Sequence, residues 1–98
     1  MDTRAILALL EAKPGKEQEL EAFLKSAQPL AVAETATTTW YAVKLGPARF
    51  GIFDTFPDDA GRQAHLSGAI AKALFAKAEE LLARPPQVEM LDILALKK

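Results

Sequence analysis

The chain has 98 residues, half of them apolar, and 12 Lys and Arg stand against 13 Asp and Glu for a net charge of −1. That length fits one small domain spanning residues 1–98, and the interspersed charge offers no basic field for nucleic acid. With no cysteine and a single histidine, His65, the sequence excludes disulfides, thiol catalysis, Cys-ligated zinc and multi-histidine metal sites within one chain.

Arg4 to Ala12 reads as a strand apolar on both faces, because Ile6, Leu7, Leu9 and Leu10 leave little alternation. Lys13-Pro14-Gly15-Lys16 ends it with turn residues. From Lys16 the period changes: Leu20, Phe23, Leu24 and Ala27 follow the i, i+3, i+4, i+7 spacing of one helical stripe. Glu17, Glu19 and Glu21 suit the positive end of the helix dipole. Pro29 is expected to stop or bend this helix, with Leu30 to Ala36 adding at most a short extra turn. Thr37 to Lys44 is β-branched and aromatic and reads as a second strand. Leu45-Gly46-Pro47-Ala48 turns the chain into a third strand, Arg49 to Phe56, so the pair is a hairpin. A second helical region opens at Pro57-Asp58-Asp59, with Asp58 as its N-cap, and runs to about Ala83. Ser67-Gly68 is expected to break it. Ile70, Ala73, Leu74, Ala78, Leu81 and Leu82 form the buried stripe of its second part. After Arg84-Pro85-Pro86, Val88 to Leu96 is a last strand, again apolar on both faces.

This βαββαβ order is the ferredoxin-like, split-βαβ α+β arrangement: a four-stranded antiparallel sheet with two helical regions on one face. Two helical regions cover only that face. The other is apolar on the first and last strands, so a second copy is expected to cover it, making a homodimer built as an α+β barrel. No apolar run is long enough to cross a membrane and the N-terminus lacks a signal-peptide layout, so no membrane partner and a cytoplasmic location are expected.

The order, together with several motifs, resembles the antibiotic biosynthesis monooxygenase family of small dimeric α+β barrels. The carriers are the segment Leu9-Leu10-Glu11-Ala12-Lys13-Pro14-Gly15-Lys16-Glu17-Gln18-Glu19-Leu20, the Asp54-Thr55-Phe56 strand end, the Ala64-His65 step, and Pro85-Pro86-Gln87-Val88. The resemblance implies a cofactor-free oxygenase of phenols or quinols, a haem-degrading enzyme, or a signal-molecule isomerase, because the family is chemically mixed and a fold does not transfer a reaction. Two departures bear on this. The chain contains no Asn, and Phe56 stands at the usual Trp position while the sole tryptophan, Trp40, lies on the preceding strand. The haem-degrading reading needs that Asn–Trp pair and drops away.

A two-residue Gly46-Pro47 loop would set Tyr41 opposite Ile52, Thr39 opposite Asp54 and Thr37 opposite Phe56, on one face with Val43 and Phe50. Trp40, Ala42 and Phe53 would take the other face. Asp54 keeps Ile52 and Phe56 as same-face neighbours in any register. It is either a pocket acid that orients His65 or a structural carboxylate bonded to threonine hydroxyls or backbone N–H groups. His65 is the one side chain whose ordinary pKa lies near neutrality. Its helix runs back over the sheet, and about 10 Å of helix against about 10 Å of strand brings His65 and Asp54 to similar depth. A break at Ser67-Gly68 would present Ala60, Gly61 and Ala64 inward with His65 beside them. An unbroken helix would turn His65 to solvent. Tyr41 could offer its phenol to a ligand. Trp40 and Phe53 read as core, and Arg49 and Arg62 as solvated cations.

The leading functional expectation is a cofactor-free monooxygenase of a small phenolic, quinol or polyketide-like compound. His65 would be the base, Asp54 its partner, Tyr41, Thr39 or Thr37 an oxyanion donor, and Ile52 and Phe56 the apolar wall. Two alternatives stand beside it: a non-catalytic dimer that binds a small apolar or aromatic ligand or acts in a stress response, and an isomerase of a small carbonyl compound. None of the three calls for a metal, haem or flavin.

Overall fold

The computed structural model describes residues 1–98. Strand β1 (Arg4–Glu11) leads to helix α1 (Glu17–Ala33), then β2 (Thr39–Lys44), β3 (Arg49–Phe56), α2 (Asp59–Leu66), α3 (Ala69–Leu81) and β4 (Gln87–Asp92). The strands form one antiparallel sheet in the order β2-β3-β1-β4. This is the ferredoxin-like arrangement, with the helices on one face. No helix is long and apolar enough to cross a membrane.

The core lies between that face and the helices. Ile6, Ala8 and Leu10 of β1 and Phe50 and Ile52 of β3 project into it, where Leu20 and Leu24 of α1 and Leu74 and Leu81 of α3 close the top. The turn into α1 places Gly15 at φ +87°, a backbone region that favours glycine.

Four expectations change. Pro29 does not stop α1, which runs through it to Ala33. Pro29 sits on the exposed side, and its missing N–H forfeits one backbone bond while Ala27 and Ala31 on the opposite side pack on Ile70 and Trp40. Strand β4 ends at Asp92 rather than Leu96: its partner β1 begins at Arg4, directly opposite Asp92, and beyond that pair the Ile93 N–H donates to the Thr3 carbonyl at 3.0 Å. The inward face of α2 is Gly61 and His65, one helical turn apart, while Ala60 and Ala64 are exposed.

The fourth change concerns the hairpin and alters the site. Thr39 pairs with Thr55, Trp40 with Asp54, Tyr41 with Phe53 and Ala42 with Ile52. The Leu45 N–H donates to the Arg49 carbonyl at 2.8 Å, so Gly46, Pro47 and Ala48 form a three-residue loop instead of a two-residue one. The two-residue turns of hairpins require positive φ, and no residue of this loop has it. One added loop residue exchanges the faces of β2. Trp40 and Ala42 therefore share the helix side with Asp54, and Thr39 and Tyr41 lie on the open side with Phe53.

Candidate functional site

The break at Ser67-Gly68 decides where His65 points. Asp58 caps α2, its carboxylate accepting from the Gly61 N–H at 2.9 Å, and the helix closes at Leu66. Gly61 makes the approach of α2 close: a Cβ there would lie 3.2 Å from both Cβ and O of Ala36. The helix thereby settles against the segment that follows α1, and His65 is brought between two carboxylates from different elements.

One of them is Asp54 on β3, fully buried, whose Oδ2 lies 2.9 Å from His65 Nε2. The other is Glu34, the residue that ends α1, whose Oε1 lies 2.6 Å from Nδ1. The Thr37 hydroxyl donates to the same Glu34 oxygen at 2.7 Å. Phe56 sets its ring 5.4 Å from the imidazole. Burial by itself would depress the imidazole, but the attraction of Asp54 and Glu34 outweighs it and raises the His65 pKa to about 9. At neutral pH His65 is a buried cation.

The two contacts differ in quality. The Nδ1–H bond to Glu34 is short and aligned. Asp54 Oδ2 holds Nε2 as a 2.9 Å ion pair, while Asp54 Oδ1 has no hydrogen-bond partner. The carboxylate is thus bonded neither to threonine hydroxyls nor to backbone N–H groups. A buried acceptor left in this state carries a desolvation cost that a ligand donor could recover. Beside it is a cavity of about 40 Å³ lined by Ile6, Ala8, Ile52, Ile70 and Leu74 together with Asp54 and His65; its exposed surface is wholly apolar, and both Asp54 oxygens are buried. On the far side of the imidazole an open depression of about 380 Å³ is bordered by Glu34, Thr37 and Gly61. His65 lines both the apolar space and the open depression.

The remaining site candidates divide between the two sheet faces. Ile52 borders the apolar cavity and Phe56 packs on His65. Thr37 reaches the site through Glu34, not by standing opposite Phe56. Tyr41, expected beside Asp54, lies on the open face and is 57% exposed. Thr39, expected opposite Asp54, is on that face too, where its hydroxyl and that of Thr55 lie 2.7 Å apart and Thr55 donates to Asp2. The odd-length loop moved both. Arg62 is no solvated cation: its guanidinium, 12% exposed, pairs with Asp59 at 2.7 Å and donates to the Leu91 carbonyl at 3.1 Å, tying α2 to β4. Glu34 was not singled out by sequence, and nothing local to Ala33-Glu34-Thr35 distinguishes it from a solvated acid.

No protein-family model matches the chain, and no curated protein does. Solved structures do. A protein of unknown function from Nitrosomonas europaea is 55% identical over 100% of this chain and 95% of its own, with a TM-score of 0.98. The chain belongs to the family of that protein. A candidate antibiotic biosynthesis monooxygenase from Caulobacter crescentus is 18% identical, with a TM-score of 0.81 over 96% of this chain and 92% of its own. A second one, from Nitrosomonas europaea, is 13% identical, with a TM-score of 0.83 over 94% and 90%. At those identities the likeness is one of fold, and the fold of this chain is that of the antibiotic biosynthesis monooxygenases.

Proposed function

We propose that this protein is a cofactor-free monooxygenase of a small phenolic, quinol or polyketide-like compound, working as a homodimer. The observation that carries the reading is the fully buried Asp54, whose Oδ1 has no hydrogen-bond partner, beside the His65 cation at the wall of an apolar cavity. An imidazole with both nitrogens engaged and a pKa of about 9 has no lone pair to offer at neutral pH. The base role expected of His65 therefore passes to Asp54. Asp54 accepts the phenolic proton, and the His65 cation stabilises the phenolate so formed. The phenolate supplies electrons to O₂ at a ring carbon. One oxygen atom stays on that carbon as a quinone carbonyl and the other leaves as water with the two hydrogens lost from the substrate. Four electrons pass from ring to O₂, and no other reductant is needed. The apolar wall excludes water from the anion.

The proposed dimer rests on the open sheet face, where Leu7, Leu9 and Phe53 are half-buried and Tyr41 and Val43 exposed. Oxygen uptake with a panel of quinols and naphthols tests the activity. Turnover should fall at least a hundredfold in Asp54→Asn, the range ascribed to one positioned base. Absence of uptake by the wild type across the panel would rule the oxygenase out. Uptake-independent conversion of a carbonyl compound under argon would favour the isomerase, which needs the same proton transfer without O₂.

A further inference from the structure

The apolar cavity beside Asp54 is far smaller than a ligand site ought to be. An apolar cavity of about 150 Å³ takes benzene, and sites for larger ligands run from about 300 Å³. At about 40 Å³ the space beside Asp54 receives a hydroxyl group and little more. The rest of any aromatic molecule has to lie elsewhere.

One wall of that cavity is Phe75 of α3, which also borders a separate open groove of about 350 Å³. The groove continues along α3 past Ala78 to Leu82 and is closed on its other side by Pro85 and Pro86, the residues leading into β4. Both spaces lie in one cleft between α3 and the start of β4, where Val88 faces the inner one. Phe75 is the one residue that lines both. It is 58% exposed and outside the packed core cluster, so little holds it in place. From Ala71 at the inner end to Ala78 in the groove is seven residues of helix, about 10 Å. At the outer end stands Lys13, whose ammonium donates to the Glu79 carbonyl; the neighbouring Arg84 is occupied by Glu11.

We infer that the apolar cavity and the groove are two halves of one ligand site divided by the Phe75 ring. The site takes an elongated apolar molecule with a neutral hydroxyl at its Asp54 end and an acceptor oxygen at its Lys13 end. This rests on the reading of the Asp54–His65 cavity as the place where substrate binds. Asp54 Oδ1, buried and without a partner, accepts from that hydroxyl once the apolar wall opens to it. A negatively charged head is disfavoured, because Asp54 and Glu34 already outnumber His65 by one charge. The ring and tail then occupy the groove once Phe75 swings out.

Stopped-flow binding of 2-naphthol to the wild type, Phe75→Ala and Phe75→Trp tests this, with amide NMR locating the ligand. Phe75 is exposed, so neither change removes core packing. The association rate should rise about tenfold in Phe75→Ala and fall about tenfold in Phe75→Trp. Shifts should centre on Leu74, Ala78 and Val88. In Ala78→Trp, which fills the groove away from Asp54, affinity should drop about tenfold. Equal rates in the three proteins, shifts confined to other regions, or no binding to either the wild type or Phe75→Ala would overturn the inference. Oxygen uptake is scored separately on the same samples. Phe75-dependent binding without uptake sinks the oxygenase and leaves the site standing. Uptake with Phe75-independent binding does the reverse.

Discussion

Raising the pH from 6.5 to 9 should unfold this protein more easily, and His65 is the reason. Its pKa is about 9 in the folded chain against an ordinary value of 6.5. A group whose folded pKa is raised contributes its full stabilisation below the unfolded value and loses it as pH climbs through the folded one. The window is therefore pH 6.5 to 9, and stability falls across it. At about 1.4 kcal/mol per pH unit the loss approaches 3 kcal/mol. For a domain of this size that is a fall in Tm of at least about 12 °C. Urea denaturation at half-unit pH steps reads the stability, and NMR titration of the single histidine reads the pKa in the same samples. Asp54→Asn removes one of the two charges that hold the proton, so its stability should change with pH over this window by less than half as much as the wild type's. A His65 midpoint at or below 6.5, or identical pH dependence in the two proteins, would refute the reasoning.

Glu34→Gln should lower the His65 midpoint by about one unit or more, since a carboxylate at hydrogen-bond distance is replaced by a neutral amide; NMR titration reads it. Gly61→Ala should destabilise the fold by about 1–2 kcal/mol in urea denaturation, because the new methyl meets Ala36 at 3.2 Å. That strain exceeds the helix-propensity gain of about 1 kcal/mol, and α2 retreats, weakening the His65–Glu34 bond. Sedimentation at micromolar concentration should give twice the chain mass. Phe53→Lys, which puts a charge on the open sheet face, should shift the protein to monomer without altering the His65 titration.

The order of elements is legible in the chain because each carries its own periodicity: the alternating and doubly apolar runs of the strands, the three-to-four spacing of Leu20, Phe23, Leu24 and Ala27, and the helix break at Ser67-Gly68. Asp54, Ile52 and Phe56 share a face for the same local reason, the two-residue repeat of a strand. The depth of His65 follows from counting residues on either side of Pro57. These are short-range facts, settled by backbone geometry within one element or across one turn.

What the tertiary structure alone decided is what those residues meet. Whether β2 shows Trp40 or Tyr41 to the helices depends on one loop residue, since an odd loop inverts every side chain after it. Whether Pro29 ends a helix depends on how well Ala27 and Ala31 pack against Ile70 and Trp40. Glu34 lies 31 residues from His65, and their contact exists because Gly61 lets α2 approach the segment after α1. No local pattern encodes that approach. The charge on His65 follows from it: a lone buried imidazole would be neutral, and the meeting of two carboxylates from separate elements keeps it protonated.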